Sequence, residues 1–416
     1  MRGLRILYLH QHFSTPEGAT GTRSFALARA LAARGHAVTL ACGQYAGAAT
    51  GLSGPFRRGR REGRVGPIRV VEFAIPCGNA QGLAARTAAF LRYAARATRL
   101  ALAGAWDVVV ASSTPLTVAL PALVAHRLRG LPFVFEIRDP WPELPRAMGI
   151  GSPPLWAAMD RLADAACRRA AAVVALSEGM AETAVAHGAD PAMVHVVPNG
   201  ADLDLFGPQV APWRPAEAGS QEALAVYAGA HGRANGLDQL LDAAAWLRAR
   251  RVPLRLLLVG AGGEKPRLLA RAAAEGLENV TFLDPLPKPR LAALLAGSQI
   301  GVQCLAPVPE FAEWTAPNKL MDYLAAGLPV VANLPGRAAR LLADGPCGIA
   351  TPPGDAAALG EALAALATDP ARRTALGRAA RTQAVRRWDR RLLAARFCAV
   401  VESAARPASA AALAPA

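Results

Sequence analysis

The segment at residues 315–331 combines residue types that could bind a nucleotide. Pro317 suits the first turn of a helix, where its missing N–H is not needed, and it places Lys319 in that turn. A cation there opposes the helix dipole, so its presence favours a bound anion such as a diphosphate. Asp322 follows on the same helix face and could accept hydrogen bonds from the two ribose hydroxyls. The alternative is an ordinary surface pair between Lys319 and Asp322.

Three glycine-containing loops follow predicted strands and could cradle phosphates. Backbone N–H groups can approach an anion where the chain has no side chain, and a helix that begins there favours negative charge. The loops contain, in order, Gly18 and Gly21, then Gly229 and Gly232, then Gly262. The alternative is that these glycines only allow turns. The first loop lacks the G-x-G-x-x-G spacing, so the usual dinucleotide fingerprint is absent.

Two patterns that resemble metal sites are interpreted otherwise. His10 and His12 end a predicted strand without acidic or cysteine partners at a suitable spacing, which is typical of surface or substrate-facing histidines. Asp202 and Asp204 form a D-x-D pattern, but in a turn-rich loop that leaves a domain, which indicates a structural role. The sequence therefore predicts no metal site.

The chain of 416 residues has a formal charge of +15, which favours anionic partners. No basic motif is interleaved with aromatic residues, so nucleic acid is not an expected partner. Residues 83–102 carry four arginines among apolar residues, as in a helix that lies on an anionic membrane, although a half-buried helix with solvated arginines has the same pattern. Without a signal-peptide pattern or a long apolar window, we expect a cytoplasmic protein, peripheral on the inner face of the membrane.

Short apolar runs alternate with segments of helical spacing along most of the chain, which predicts parallel α/β sheets. The predicted strands lie at residues 5–10, 37–41, 68–75, 108–112, 133–137, 172–176 and 194–197, then at 224–227, 254–259, 280–283, 300–305 and 329–332. We expect two Rossmann-like, doubly wound domains, at residues 1–207 and 208–385. A helix at 386–405 should cross back to the first domain and precede a disordered tail at 406–416. Ligands should bind in the cleft between the domains, at the carboxyl ends of the strands.

Several segments in order along the chain resemble one enzyme family. Besides residues 315–331 they read RILYLHQHFSTPEGATGTRS, ARGHAVTL, FEIRDPWPE, PNGAD and YAGAHGRANGLDQLLDA. The chain is similar to the retaining glycosyltransferases of GT-B fold in family 4, also called glycosyltransferase group 1. Within that family it resembles the bacterial N-acetyl-L-fucosamine transferases of O-antigen and capsule synthesis.

The resemblance implies roles for several residues of the second domain. Asp322 stands where the family has the second glutamate of an E-x7-E motif, which binds the donor ribose. The first glutamate falls at Trp314, so Glu313 or Glu310 would supply the carboxylate near the donor sugar. The family's cationic loop residues are replaced here by uncharged or weakly basic ones (Ala230 or His231, and Asn235). The resemblance then assigns the diphosphate to Lys319, with Arg233 or Lys265 as alternatives.

In the first domain, many relatives have His-Asp where this chain has Arg138 and Asp139. These two residues and the Gly18–Gly21 loop are expected to meet the acceptor hydroxyl or the reacting sugar. The implied reaction is same-face sugar transfer in which the departing phosphate takes the acceptor proton, so electrostatic stabilisation and positioning matter more than a strong base.

The expected function is that of a metal-independent hexosyltransferase without a cofactor. Its donor would be a UDP-linked N-acetylated deoxyhexosamine, and its acceptor a lipid-linked or growing cell-surface saccharide. Two alternatives remain at this stage. One is a sugar-nucleotide epimerase or hydrolase on the same scaffold, and the other is a basic protein that binds membranes or nucleic acid without catalysis.

Overall fold

The computed structural model describes residues 3–78, 81–219, 222–314 and 318–406. Contacts between these residues divide the chain into two units. The first unit comprises the described residues up to 15, those at 21–198 and those from 391 onward. The second comprises residues 16–20 and 199–390. The division therefore falls between Pro198 and Asn199, earlier along the chain than the predicted boundary. Pro317 and the predicted tail from residue 407 lie outside the described residues.

Strands are numbered along the chain. They are β1 Arg5–Leu9, β2 Ala37–Tyr45, β3 Arg60–Val65, β4 Ile68–Cys77, β5 Val108–Ser112, β6 Phe133–Ile137, β7 Ala172–Ala175, β8 Val194–Val196, β9 Ala223–Ala228, β10 Leu254–Val259, β11 Val280–Leu283, β12 Ile300–Gln303, β13 Val330–Ala332 and β14 Gly348–Ala350.

Helices are numbered in the same way. They are α1 Arg23–Ala33, α2 Leu83–Ala103, α3 Ala119–Arg129, α4 Glu143–Ala147, α5 Pro153–Arg169, α6 Glu178–Ala186, α7 Asp238–Ala249, α8 Lys265–Ala274, α9 Lys288–Ala296, α10 Phe311–Trp314, α11 Asn318–Ala326, α12 Gly336–Asp344, α13 Ala356–Thr368, α14 Pro370–Arg387 and α15 Arg390–Ala404. Short 3-10 turns occur at Leu116–Val118, Pro191–Met193 and Arg233–Asn235.

The first unit contains an eight-stranded sheet in the order β3-β4-β2-β1-β5-β6-β7-β8. Its strands are parallel except for β3, which pairs antiparallel with β4. Central strands such as β5 and β6 are buried along their whole length, as expected for a sheet covered on both faces. The last helix, α15, also belongs to this unit, where Phe397 stacks on Tyr8 with ring centroids 6.1 Å apart.

The second unit contains a six-stranded sheet in the order β11-β10-β9-β12-β13-β14. All its strand pairs are parallel. Apolar side chains on the two faces of this sheet form separate clusters, one against α9 and α11 and the other against α7 and α13. The carboxyl ends of β9, β10 and β12 meet at one edge, which is where a doubly wound sheet presents its loops to a ligand.

The predicted α/β class with two doubly wound, largely parallel sheets is confirmed. Two strands were not predicted. The edge strand β3 was missed because its sequence, RREGRV, is dominated by charged residues, and such residues are common on edge strands because they discourage pairing with another chain. The strand β14 was missed because, at three residues, it is too short to show alternation.

Candidate functional site

Lys319, on the first turn of α11, is the clearest candidate for an anion-binding residue. Its Nζ donates hydrogen bonds to Tyr227 Oη at 3.0 Å and to Asn235 Oδ1 at 3.4 Å, and it lies 4.2 Å from the Tyr227 ring centroid. None of the ion pairs among the described residues includes it. Burial lowers the pKa of Lys319 to about 8. A half-buried ammonium with neutral partners is left electrostatically uncompensated by the chain.

The glycine loop after β9 packs directly against Lys319. A Cβ atom at Gly229 would lie 2.7 Å from Lys319 Cε, so a larger residue here would displace the lysine. Within the described residues, the N–H groups of Ala230 and Gly232 in this loop donate to no acceptor. The structure thus places Gly229 against Lys319, and Gly232 lies in the same loop beside Asn235, whose side chain accepts from Lys319. Free backbone N–H groups beside a cation are the donors that a diphosphate requires.

Gly262 belongs to the neighbouring loop, after β10. A Cβ atom there would lie 2.3 Å from the carbonyl oxygen of His231, and one at Gly260 would lie 1.9 Å from that of Gly229. Gly260 also has a φ of +149°, which side chains rarely tolerate. The two glycine loops are therefore in backbone contact, and Gly262 has a packing reason to be glycine.

His231 contributes no positive charge to this site. The side chain is fully buried, and neither ring nitrogen has a partner among the described residues. Burial, reinforced by the charges of Lys265 and Lys319, lowers the pKa of His231 to about 4. The imidazole is therefore neutral at physiological pH.

Lys265, the alternative to Lys319, is engaged elsewhere. Its Nζ donates to the carbonyl oxygens of Gly260 and Leu283, at 3.0 and 3.1 Å, and pairs with Asp284 at 2.7 Å. It holds the ends of β10 and β11 together. Arg233, the other alternative, lies on the 3-10 turn beside Gly232, where no carboxylate of the described structure pairs with it.

Asp322 does not pair with Lys319. The alternative of an ordinary surface pair between these two residues therefore does not hold. Its Oδ2 accepts a hydrogen bond from Lys288 Nζ, and the side chain of Lys288 also lies over the Phe206 ring, 5.4 Å from the centroid. Asp322 is only 3% exposed, and its Oδ1 has no partner in the described part of the chain. Lys288 was missed, although it opens α9 and so is also a cation in a first helical turn.

Glu313 lies on α10 and forms an ion pair with Arg340 of α12 at 2.7 Å. Its side chain is about half exposed, and its carboxylate also lies against Gly336, where a Cβ atom would be 2.7 Å from Oε1. Trp314, which takes the position of the family's first glutamate, follows on the same short helix. The structure thus provides a carboxylate beside that position, held by an arginine.

Arg138 follows β6 in the first unit and contacts a buried histidine. Its Nη1 lies 2.6 Å from His10 Nε2, and His10 Nδ1 lies 2.8 Å from Ser24 Oγ. Burial and the charge of Arg138 hold the pKa of His10 well below its usual value, so Nε2 accepts from Arg138 and Nδ1–H donates to the serine. Asp139 accepts a hydrogen bond of 2.5 Å from Thr114 Oγ1.

Of the two alternatives for these histidines, a surface position does not hold for His10, which is 2% exposed, and a position facing the substrate stays a prediction. His12 stacks on Tyr45 with ring centroids 4.1 Å apart, and its Nε2 has no partner among the described residues. Burial, together with Arg138 and Arg86, lowers the pKa of His12 to about 3. Its ring is therefore neutral and can exchange hydrogen bonds with a ligand.

A buried carboxylate, Glu136, was also missed because it reads as an interior residue of β6. It accepts hydrogen bonds from Arg23 Nε at 2.9 Å, Ser112 Oγ at 2.5 Å and Tyr8 Oη at 3.3 Å. Burial alone would raise the pKa of Glu136, but the charges of Arg23 and Arg138 outweigh it and lower the pKa. The remaining N–H groups of Arg23 hold the carbonyl oxygens of Val197 and Pro198. This network is complete without a ligand.

The remaining predicted site residues are the glycines of the first loop. Gly18 lies in the segment at residues 16–20, which groups with the second unit, whereas Gly21 groups with the first. The structure therefore divides this predicted loop between the units.

A cavity of about 630 Å³ opens in the first unit where β2 and β4 end. Tyr45 and Cys77 line it, together with an ion pair between Arg61 and Glu72 in which Arg61 Nε lies 2.8 Å from Glu72 Oε2. Because the two charges compensate each other, the cavity suits an uncharged, hydroxylated ligand.

Neither a metal cluster nor a membrane span is found in the described ranges. Within them, no three histidine, cysteine, aspartate or glutamate side chains group closely enough to hold a metal ion. No helix there has both the length and the apolar character that crossing a bilayer requires.

Two family models match the chain, one in each half. Residues 18–200 match the Glycosyl transferase 4-like domain, and residues 222–369 match the Glycosyl transferases group 1 model. A D-inositol 3-phosphate glycosyltransferase of Kribbella flavida is 32% identical over 197 residues, which are 44% of this chain and 45% of that protein. The chain thus spans less than half the length of the curated relatives it matches.

Solved structures match almost the whole chain at low sequence identity. Sucrose-phosphate synthase of Thermosynechococcus elongatus has a TM-score of 0.74 at 18% identity, with 96% of this chain and 98% of that chain covered. Anabaena Alr3699/HepE in complex with UDP-glucose has a TM-score of 0.65 at 18% identity, with 96% and 100% covered. At such identities the likeness establishes the fold.

The two doubly wound sheets and these matches define a protein of GT-B fold built from glycosyltransferase domains. More narrowly, residues 222–369 belong to the glycosyltransferase group 1 family, and residues 18–200 carry the glycosyl transferase 4-like domain. The predicted fold is thereby confirmed, and the matched domains are of the class that the sequence predicts, glycosyl transferases. The narrower likeness to N-acetyl-L-fucosamine transferases stays a prediction.

Proposed function

We propose that the protein transfers a sugar from a UDP-linked donor to a saccharide acceptor, with retention of configuration at the anomeric carbon. The observation that carries the proposal is the uncompensated ammonium of Lys319 beside the free N–H groups of Ala230 and Gly232. The UDP-glucose bound to the Anabaena structure supports a UDP donor. We expect the sugar to be an N-acetylated deoxyhexosamine, as in the bacterial enzymes that the sequence resembles.

In this proposal the second unit stabilises the leaving group. Lys319 and the loop amides neutralise the negative charge that develops on the diphosphate as the glycosidic bond breaks. The departing phosphate then takes the proton of the acceptor hydroxyl, so the enzyme positions the reactants and supplies no strong base. Asp322 accepts hydrogen bonds from the donor ribose, and Glu313 is the carboxylate nearest in sequence to the donor-sugar position of the family.

The first unit would bind the acceptor. Arg138 and Asp139 lie at the carboxyl end of β6, and neutral His12 offers an unpartnered nitrogen, so this edge can hydrogen-bond a hydroxylated ligand. The compensated cavity at the ends of β2 and β4 has room for further uncharged sugar units. We expect the acceptor to be a lipid-linked or growing cell-surface saccharide, and the reaction to need neither a metal ion nor a cofactor.

We also propose a cytoplasmic enzyme that meets the inner membrane surface through α2. Arg92, Arg96 and Arg99 lie on the exposed side of this helix, and Leu91 is exposed among them. Such a face combines positive charge with an apolar side chain, as in helices that bind anionic membranes.

The decisive test is binding of UDP by Lys319 variants. UDP should raise the melting temperature of the wild-type protein, because a ligand that binds only the folded state stabilises it. The rise should be much smaller for Lys319→Ala. The matched control is Lys265→Ala, which removes the neighbouring lysine that holds strand ends and should keep the response to UDP.

UDP release, measured with and without acceptor lipids, then identifies the reaction. Release that depends on an acceptor, with transfer of the sugar to it, supports a transferase. Equal release without acceptor would instead indicate a hydrolase, and conversion of the donor sugar without release would indicate an epimerase. An equal response of the wild-type and Lys319→Ala proteins to UDP would remove Lys319 from the diphosphate site.

A further inference from the structure

The pair formed by Lys288 and Asp322 has two features that an ordinary buried ion pair lacks. The Asp322 carboxylate uses only one oxygen, because Oδ2 accepts from Lys288 while buried Oδ1 has no partner among the described residues. Within the described part of the chain, Lys288 has one carboxylate partner and otherwise faces the Phe206 ring. A carboxylate oxygen left without a donor in a buried position is costly, so this arrangement is incomplete without one.

The pair also lies beside the proposed diphosphate site. Asp322 is one helical turn after Lys319 on α11, and the next residue, Tyr323, accepts the N–H of Ala228 at the end of β9 with its hydroxyl oxygen. The side chain of Lys288 is 11% exposed and that of Asp322 is 4% exposed. Lys288 is therefore the more exposed member of the pair.

A pair of neighbouring hydroxyls suits these two groups. One hydroxyl can donate to the unused oxygen of Asp322, while the oxygen of the other accepts an N–H from the ammonium of Lys288. Aspartate is one methylene shorter than the glutamate it replaces, so a second contact from Lys288 offsets the shorter reach.

We infer that Lys288 is a specificity-determining residue of the donor site, which holds the Asp322 carboxylate and recognises the ribose hydroxyl pair together with it. The inference rests on the proposed function, since it assumes that Lys319 binds the diphosphate of the same donor. Lys288 then makes the site select ribonucleotides over 2′-deoxyribonucleotides.

The test compares the affinities of UDP and 2′-deoxy-UDP, measured by calorimetry. The wild-type protein should bind UDP at least about tenfold more tightly, since a lost hydrogen bond to a charged group has about that effect. Lys288→Met should bring the ratio of the two affinities close to one. Lys288→Arg keeps the cation and should retain part of the preference. In the control Arg255→Met, which breaks the pair with Glu222 in the same unit, the ratio should be unchanged.

Lys288→Met leaves a buried carboxylate without its cation, so it can destabilise the unit. The double variant Lys288→Met/Asp322→Leu replaces the pair by apolar residues and tests the ribose site as a whole, while the comparison of Lys288→Met with Lys288→Arg tests the lysine itself. The double variant should fold, bind both nucleotides, and fail to distinguish them.

Three results would overturn the inference. If Lys288→Met or the double variant weakens UDP and 2′-deoxy-UDP by the same factor, the pair only stabilises the fold. If the wild-type protein binds both nucleotides equally, the ribose is not recognised here, although the diphosphate proposal stands. If it binds neither, the proposed donor itself is wrong, and the inference fails with it.

Discussion

The two units bury charge in opposite ways. In the first, Glu136 is surrounded by donors from its own unit, among them the guanidinium of Arg23. In the second, the partners of Lys319 among the described residues are a hydroxyl and an amide oxygen, and one oxygen of Asp322 has no partner there. A buried charge that the chain satisfies itself is part of the fold, whereas one that the chain leaves unsatisfied indicates a missing ligand. Substitutions in the two units should therefore separate stability from binding.

The largest effect is expected for Arg23→Met. Removing Arg23 leaves Glu136 buried without its cation and frees two carbonyl oxygens that the guanidinium holds. Loss of one partner of a buried ion pair typically costs about 3–5 kcal/mol. Urea unfolding at pH 7 should show a decrease of that size in the free energy of unfolding.

The exposed pair of Arg5 and Asp107 provides the control. Arg5→Met should change the free energy of unfolding far less than Arg23→Met, because solvent screens exposed pairs. Similar losses for the two variants would contradict a special role of the Glu136 network. The pH dependence gives a second check. The folded-state pKa of Glu136 is lowered, so its contribution is present above the unfolded-state pKa and is lost as the pH falls through the folded-state pKa.

Lys319→Met should stabilise the protein, whereas Arg23→Met should destabilise it. Burial lowers the pKa of Lys319 to about 8, so at pH 7 the folded state carries an ammonium that the unfolded state accommodates more easily. Removing this charge should raise the free energy of unfolding by about 1–3 kcal/mol, on the scale of 1.36 kcal/mol for each pKa unit. The same variant should lose about 1.5–3 kcal/mol of UDP binding, the usual contribution of a charged hydrogen bond.

Urea unfolding of the ligand-free proteins and calorimetry with UDP measure the two effects separately. A Lys319→Met variant that is less stable than the wild type and still binds UDP would show that Lys319 is a structural residue. The charge of Lys319 would then serve the fold, as that of Glu136 does, and the two units would not differ in this respect.

The pH dependence of UDP binding follows from the same lysine. Lys319 of the free protein loses its proton as the pH rises through about 8. Because UDP binds the protonated lysine, binding at higher pH must include the uptake of a proton. Affinity for UDP should fall about tenfold between pH 8 and pH 9.5, a change of about 1.4 kcal/mol. Lys319→Arg keeps its charge over this range and should give a flat profile. A fall of equal size in that variant would assign the titration to another group.

Apolar patterning predicted the buried elements well. Strands such as β5, β6 and β10 have the expected bounds, because residues buried on both faces of a parallel sheet form continuous apolar runs. The polar edge strand β3 carries no such signal. Burial decides these outcomes, so elements at the margin of a sheet are the least predictable.

The site residues were predictable where their role depends on neighbours close in sequence. The position of Lys319 on its own helix predicted an uncompensated cation, and the structure places it so. The partner of Asp322 lies 34 residues away on another helix, and the donors to Glu136 come from three other elements, so these contacts depend on tertiary packing. The burial of His10 was not apparent from the sequence for the same reason, since its partners Arg138 and Ser24 lie on other elements.

The smallest effect per residue is expected for the solvent-exposed arginines of α2, and it concerns binding to membranes. Arg92 and Arg99 are exposed and lie on the same side of the helix as exposed Leu91. Arginines near an anionic surface contribute about 1 kcal/mol each, so Arg92→Gln/Arg99→Gln should reduce binding to phosphatidylserine-containing vesicles about thirtyfold at low salt. Sedimentation with vesicles, with and without phosphatidylserine, measures this.

The control removes the same charge from α14, where Arg372→Gln/Arg378→Gln changes two exposed arginines of the second unit. If binding depends only on net charge, both double variants will lose affinity equally, and α2 has no special role in membrane binding. If only the α2 variant loses affinity, the positive charge of this chain serves two separate purposes. The buried lysine of the second unit would then meet the donor phosphates, while the exposed arginines of α2 would meet the membrane that carries the acceptor.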